Sequence, residues 1–271
     1  MAVRLFEEKA HAACYQRYRL PPAEEVQNVI LSYLERKKGK PFQLAVDVGC
    51  GTGLSTRVLA VHFQQVVGTD ISKAQIEEAK KVPGFPNVMY SIHPAEVIPC
   101  EDCSVDLVVA ACSVHWFDLD KFMVEVDRVL KQNGCLAMYS YCVQFEVHYK
   151  NCSEILTQIY QEAREFLFQY GTEKLKIIQN EYKNIFNTLT CPDKERLDNI
   201  HVSYTVTVSE LIGLLSSVSM YQTFLRKDAS SAKDLLQRTE QRLLETMGVS
   251  SNQTQVELKQ RYFCVLACKS K

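Results

Sequence analysis

The chain of 271 residues carries 31 Lys and Arg against 32 Asp and Glu, a formal charge of -1, so no global basic field exists to hold nucleic acid. Its 46% hydrophobic and 23% charged residues are ordinary for a globular protein, and the length suits one large domain or a core with an insertion. Eleven cysteines fall short of the density of a small disulfide scaffold; the charged opening stretch from Met1 to Leu20 does not read as a secretory signal, and no run approaches the ~20 apolar residues of a membrane span.

Taken in chain order, the first clear element follows Pro21-Pro22. There Val26, Val29, Ile30, Tyr33 and Leu34 fall on one helical face, and Gly39 ends the run. The pattern then alternates. Leu44 to Val48 reads as a short buried strand, a helix follows Gly53, Val66 to Asp70 is a second strand, and Ser72 caps a helix from Lys73 to Lys81. Asn87 to Ile92 and Val105 to Ala111 are the third and fourth strands. A helix opening at Asp118 places Phe122, Met123, Val126, Val129 and Leu130 on one face, and Asn133-Gly134 stops it before a strand from Cys135 to Tyr141. Five strands joined by helical crossovers imply a parallel, doubly wound sheet.

From Gln144 to Leu197 this rhythm is interrupted by an amphipathic stretch that includes Ile155, Leu156, Ile159, Ala163, Phe166, Leu167 and Tyr170. Strand alternation resumes at Val202, Tyr204, Val206 and Val208, Thr207 to Glu210 has capping-box spacing, Ala229 to Met247 is helical, and Tyr262 to Cys268 is a final strand. The expected fold is therefore α/β: a doubly wound, seven-stranded, Rossmann-like sheet with a late hairpin-like strand pair and a helical cap insertion. Its expected parts are an N-terminal helical cover (1–40), a ligand-binding half (41–143), the cap (144–197) and a segment completing the sheet (198–271).

The segment most informative about chemistry is Asp47-Val48-Gly49-Cys50-Gly51-Thr52-Gly53, at the turn from first strand to first helix. Glycines there let a ligand approach the backbone, yet neither register gives the G-x-G-x-x-G of a dinucleotide site. Asp70, at the end of the second strand, brings a carboxylate to the same sheet edge, where its oxygens can accept hydrogen bonds from both hydroxyls of a ribose. Ile71, able to lie on an adenine face, Ala95-Glu96 after the third strand and Cys112-Ser113 after the fourth line up along that edge. The single Cys100-x-x-Cys103 has no second pair at metal spacing, and no metal is expected.

With these motifs in order and spacing, residues 44–140 resemble the class I S-adenosylmethionine-dependent methyltransferases. Tyr15 to Pro21, the run Ser113-Val114-His115-Trp116-Phe117-Asp118, and Ser219-Met220-Tyr221-Gln222 are similar to the trans-aconitate methyltransferase-like (methyltransferase type 11) group. The resemblance implies S-adenosyl-L-methionine as cofactor, with S-adenosyl-L-homocysteine as product. It implies Gly49, Gly51 and Gly53 along the methionine and ribose, Asp70 on the ribose, Ile71 and Glu96 near adenine, and Cys112 toward the sulfonium, with Asp47, Ser72, Ala95 and Tyr18 completing the cofactor set. One departure is Tyr18-Arg19-Leu20-Pro21 in place of the more usual Tyr-Arg-Pro.

Arg19, His115 and Trp116 are the candidate acceptor contacts. A carboxylate acceptor needs no base, whereas an amine, phenol or thiol would need a proton removed, for which His115 is the candidate catalytic base. The leading expectation is O-methylation of a small carboxylic acid. The alternatives are N-, O- or S-methylation of a small amine, phenol or thiol with His115 as base, and a non-catalytic binding protein on this fold. A small-molecule partner, no nucleic acid, no membrane, a monomer or weak dimer and a cytoplasmic location complete the expectation.

Overall fold

A computed structural model describes residues 5–270, so the first four residues of the expected 1–40 cover lie outside the described residues. Two helices lead in, α1 (Lys9–Tyr18) and α2 (Glu24–Lys38). The second buries Val26, Ile30, Tyr33 and Leu34, the apolar stripe its spacing dictates. The alternating region follows as β1 (Leu44–Val48), α3 (Leu54–Leu59), β2 (Gln65–Asp70), α4 (Lys73–Ala79), β3 (Val88–Ile92), β4 (Val105–Ala111), α5 (Leu119–Val129) and β5 (Leu130–His148). The remainder comprises α6 (Ser153–Phe168), α7 (Leu175–Gln179), α8 (Lys183–Thr188), β6 (Lys194–Thr207), α9 (Val208–Ser217), α10 (Ser219–Lys227), α11 (Ala229–Met247) and β7 (Gln255–Cys268). Side chains set several helix starts. The Ser72 hydroxyl accepts from the Gln75 N–H, Asp118 from Lys121, Asp228 from Ser231, and Thr207 with Glu210 forms a reciprocal capping box.

The seven strands form one sheet in the order β3-β2-β1-β4-β5-β7-β6. Neighbours from β3 to β5 pair in parallel, while β7 runs antiparallel between β5 and β6. The late antiparallel pair is present, but α9, α10 and α11 separate its strands in sequence. From β1 the chain winds outward to β3 and then returns to the other side of β1 as β4. This reversal opens a crevice at the carboxyl ends of the strands, the place where open α/β sheets bind ligands. One face of the sheet packs Val46, Val48 and Val108 with Phe122 and Val126 of α5 and Ile185 of α8; the other packs Ala45, Leu107 and Val109 with α2. A third cluster joins α6, α9 and α11 to the far ends of β5, β6 and β7 through Tyr160, Leu211, Leu243, Val147 and Leu258.

Element boundaries differ from expectation where tertiary pairing overrides local pattern. Residues 144–148, expected in the cap, continue β5 because Phe145 to His148 pair with β7; residues 194–197, at the expected end of the cap, pair in β6. The final strand begins at Gln255 rather than Tyr262. Helix α5 ends at Val129, ahead of Asn133-Gly134, because Leu130 already pairs with Val105. Over the crevice, α6, α7, α9 and α10 each contribute lining residues, among them Arg164, Leu175, Leu214 and Met220. No helix among the described residues is long and apolar enough to cross a membrane.

The entrance to β1 is fixed by Asp106, a fully buried carboxylate on β4. It accepts from the backbone N–H groups of Gln43 and Leu44 and pairs with Lys38 at 3.2 Å and Lys131 at 2.8 Å. Burial alone would raise its pKa, but these donors hold it below the usual carboxylate value. Asp106→Ala leaves two ammonium groups and two N–H groups without their partner. We expect a loss of about 3 kcal/mol in a urea titration; unchanged stability would contradict this account.

Candidate active site

The turn after β1 is shaped by glycines that play different parts. Gly49 has φ +67°, and a Cβ there would lie 2.7 Å from the Ser113 Cβ, so the loop after β1 can nest against the loop after β4 only without a side chain. Gly51 has φ +55°, and a Cβ would meet nothing closer than Gln75 Oε1 at 3.6 Å, projecting instead between Gln75 and Tyr15 into the crevice. Gly53, expected along the cofactor, does not line the crevice; it makes room for Tyr90, whose hydroxyl would lie 2.2 Å from a Cβ. Asp47 is likewise set back from the lining. It is fully buried and accepts from the Ser55 and Thr56 hydroxyls at 2.5 and 2.6 Å, fastening the start of α3 to β1. Burial pushes its pKa up to about 6 against those two bonds, and its Oδ1 has no hydrogen-bond partner among the described residues.

Asp70 closes β2 with its carboxylate held by backbone. One oxygen accepts from the Gly51 N–H at 2.9 Å and the other from the Ser72 N–H at 2.8 Å. Each oxygen keeps a further lone pair. Burial raises the pKa of this carboxyl, opposed by the two backbone bonds. Ile71 beside it is 50% exposed at the rim of the crevice. Ser72 lines the crevice, but its hydroxyl is engaged, donating to the Phe6 carbonyl at 2.7 Å and capping α4. Ala95 and Glu96 line the same wall, with one Glu96 oxygen accepting from the Asp118 N–H. Cys112, at φ +52°, completes the edge; burial pushes its thiol pKa up. Together these groups border a cavity of about 340 Å³.

A second cavity of about 120 Å³ adjoins the first beneath the cap. Phe6, Tyr15, Arg19, Cys112, Trp116 and Arg164 border both, so the two meet in a neck of aromatic rings and guanidinium groups. None of the residues bordering the second cavity is Asp or Glu, whereas Lys174 is among them. The Arg19 guanidinium donates to the Tyr141 hydroxyl and lies 4.9 Å over the Tyr15 ring. Arg164 donates from Nε to the Val143 carbonyl at 3.2 Å and lies 3.9 Å over the Phe145 ring. His115 borders only the second cavity, 3.3 Å from the Tyr182 hydroxyl. Burial, reinforced by Lys174, pushes its pKa down to about 3, so its imidazole is neutral at pH 7. Trp116 is 37% exposed and meets Phe6 edge-on at 6.2 Å.

The geometry corrects Tyr18. Its ring packs where Gly213 of α9 has no Cβ, with Cδ1 2.1 Å from where one would stand, and it borders neither cavity. Tyr15, one turn earlier, is the aromatic of α1 that lines both. Leu5, Phe6 and Glu7 also cover the crevice, and no periodicity in the sequence marks them. Arg164 did leave a signal: it follows Tyr160 by four residues and precedes Leu167 by three, placing a charge inside the apolar stripe of α6.

Residues 46–138 match the family model described as a methyltransferase domain. A Dictyostelium discoideum protein named as a methyltransferase is 30% identical over 231 residues, covering 85% of this chain and 82% of that one. This chain belongs to the class I S-adenosylmethionine-dependent methyltransferases. A Saccharomyces cerevisiae protein named as an S-adenosylmethionine-dependent methyltransferase is 27% identical over 68% of this methyltransferase and 72% of its own length. The fold is shared with a structure described as a type II methyltransferase from Anaeromyxobacter dehalogenans, with a TM-score of 0.67 at 21% identity over 98% of each chain. The methyltransferase is an enzyme using S-adenosylmethionine, and its larger cavity has features to fit that molecule. The volume is within the range of about 300 to 1,000 Å³ of small-molecule sites. A Cβ at Gly51 would intrude on it, and Asp70 offers acceptors at its edge.

Proposed function

We propose that this methyltransferase O-methylates a small carboxylic acid. The observation that carries the reading is the second cavity, which presents guanidinium groups, no carboxylate and a neutral histidine. A group with a pKa near 3 is a poor acceptor for the proton of an amine, phenol or thiol, because an effective general base has a pKa near the working pH. A carboxylate arrives already ionised and makes no such demand. In this reading Asp70 accepts from the ribose hydroxyls, Ile71 lies against adenine with Glu96 nearby, and Gly49 and Gly51 admit the methionine and ribose, with Asp47 bracing the turn from below. Bound S-adenosylmethionine supplies the methyl group, its C–S bond breaking as the new C–O bond forms, to leave S-adenosylhomocysteine and a methyl ester. Phe6, Tyr15 and Trp116 keep water from the neck, and the narrowness of the second cavity confines the acceptor to a small molecule. A cytoplasmic setting suits eleven unpaired thiols.

The test is turnover with methyl-labelled cofactor on a panel of carboxylic acids, amines, phenols and thiols. The expected product is a base-labile ester. At saturating substrates kcat stays level between about pH 6 and 9, because the acceptor and His115 both titrate below that window. His115→Gln retains kcat within about tenfold, whereas loss of a general base costs roughly 10²- to 10⁴-fold. A base-stable product, or a rate that climbs with pH and collapses in His115→Gln, would refute the carboxylate reading.

A further inference from the structure

Arg164 is 7% exposed and stands among Tyr160, Ala163 and Leu167 on the inward face of α6. Buried charges are ordinarily paired, because an isolated one forfeits its hydration without return. Among the described residues no carboxylate comes within ion-pairing distance of Arg164, and none comes within that distance of Arg19. The Val143 carbonyl, the Tyr160 hydroxyl and the Phe145 ring orient the Arg164 guanidinium without neutralising it, and the nearby Arg19 charge opposes it. Burial accordingly lowers the Arg164 pKa below its ordinary value. Two cations thus face one neck with no anion of the protein's own between them.

In the carboxylate reading two anionic groups would need cationic partners: the methionine carboxylate of the cofactor and the acceptor carboxylate. Arg19 leans on Tyr15, which stands beside the glycine turn at Gly51, so Arg19 belongs to the cofactor side. Arg164 hangs from α6 and borders both cavities, with its Nε bonded to the carbonyl of Val143, a residue that borders only the second. We infer that Arg164 captures the acceptor carboxylate and selects for acids, an assignment that rests on the carboxylate reading above. Donation to one carboxylate oxygen leaves the other facing the methyl group. The acceptor enters as an anion and leaves as a neutral ester with no proton moved, so the contact that holds the substrate is weakened in the product.

The experiment uses the full chain saturated with S-adenosylhomocysteine, titrated calorimetrically with acetate, benzoate and glutarate, and with the corresponding primary amides and methyl esters. Thermal melting of the unliganded proteins accompanies it. The acids bind the wild type and their neutral counterparts do not. Arg164→Met weakens acid binding by roughly 30-fold or more, the usual result of truncating one partner of a buried charge pair, and Arg164→Lys restores part of it. Affinity for S-adenosylhomocysteine is unchanged in both variants. Unliganded Arg164→Met melts no lower than the wild type, since an unpaired buried charge has been replaced by an apolar chain. If Arg164→Met binds acids as the wild type does, the assignment fails while the carboxylate reading stands. If both variants melt lower and also lose S-adenosylhomocysteine, Arg164 is a packing residue and the assignment is overturned. If the neutral compounds bind the wild type as well as the acids, or no acid binds at millimolar concentration, the carboxylate reading itself falls.

Discussion

Gly49→Ala is expected to damage stability and cofactor binding together. The residue has φ +67°, where a non-glycine residue costs roughly 1–2 kcal/mol. The new methyl would also lie 2.7 Å from the Ser113 Cβ and 2.9 Å from its Oγ. Ser113 has little freedom to withdraw, because its hydroxyl donates to the Val48 carbonyl at 3.0 Å and thereby clips the same two loops together. Overpacking of this kind adds about 1–3 kcal/mol. The sum, about 2–5 kcal/mol, is a large share of the stability of an ordinary domain, and it should appear as a lowered urea midpoint with cofactor affinity lost. Gly51→Ala makes the instructive contrast. With no protein atom closer than 3.6 Å, it should cost only about 1–2 kcal/mol of stability through its φ while still obstructing the ligand. A Gly49→Ala protein as stable as wild type would disprove the nesting of the two loops.

The second large effect is expected at Asp70. If its two oxygens accept from both ribose hydroxyls, Asp70→Ala removes two charge-assisted hydrogen bonds worth about 1.5–3 kcal/mol each, so that calorimetric affinity for S-adenosylmethionine falls roughly 10²- to 10⁴-fold. Asp70→Asn keeps only one acceptor oxygen, so its amide N–H₂ faces the N–H of either Gly51 or Ser72. The neutral side chain escapes the burial that raises the pKa of the carboxyl, but one backbone donor loses its partner, at about 1–3 kcal/mol. The asparagine variant should therefore melt below the wild type at pH 7 and also bind the cofactor more weakly. Undiminished affinity in both variants would remove Asp70 from the cofactor site.

What the sequence made legible was whatever depends on short stretches of chain. The strand-turn-helix around Gly49 and Gly51, the acid closing β2, Ala95-Glu96 and Cys112 all come from strand ends, and a parallel sheet brings such ends to one edge without further instruction. The N-terminal and cap contributions were harder, since they depend on which face a helix presents. Tyr15 and Tyr18 are one turn apart on α1 and chemically alike; the absence of a side chain at Gly213, nearly two hundred residues on, is what makes room for Tyr18 against α9. His115 borders the second cavity, but its loss of basicity comes from burial and from the Lys174 charge just before α7, with Tyr182 just before α8 packed against it. The end of β5 and the start of β7 were missed because Phe145 to His148 and Glu257 to Gln260 are strand by virtue of pairing with each other, and Gln255 and Val256 by pairing with β6.

The nineteen-residue β5 has a consequence for traffic through the enzyme. It contributes Tyr139 and Tyr141 to the larger cavity, and Ser140, Tyr141 and Val143 to the smaller, so one strand forms the rear wall of both. As far as Tyr139 that wall is laddered to β4 on one side, and on the other it is laddered to β7, with a register shift between Tyr141 and Phe145. Moving it would break the sheet. The front wall is fastened more lightly: the Phe6 carbonyl takes one hydroxyl bond from Ser72, the Phe6 ring stacks on His11 at 4.8 Å, and Glu8 and Lys9 make solvent-exposed ion pairs with Arg226 and Glu77. Ligands exchange most cheaply on this side, where a few side-chain contacts part and re-form while the hydrogen-bonded frame behind them stays intact.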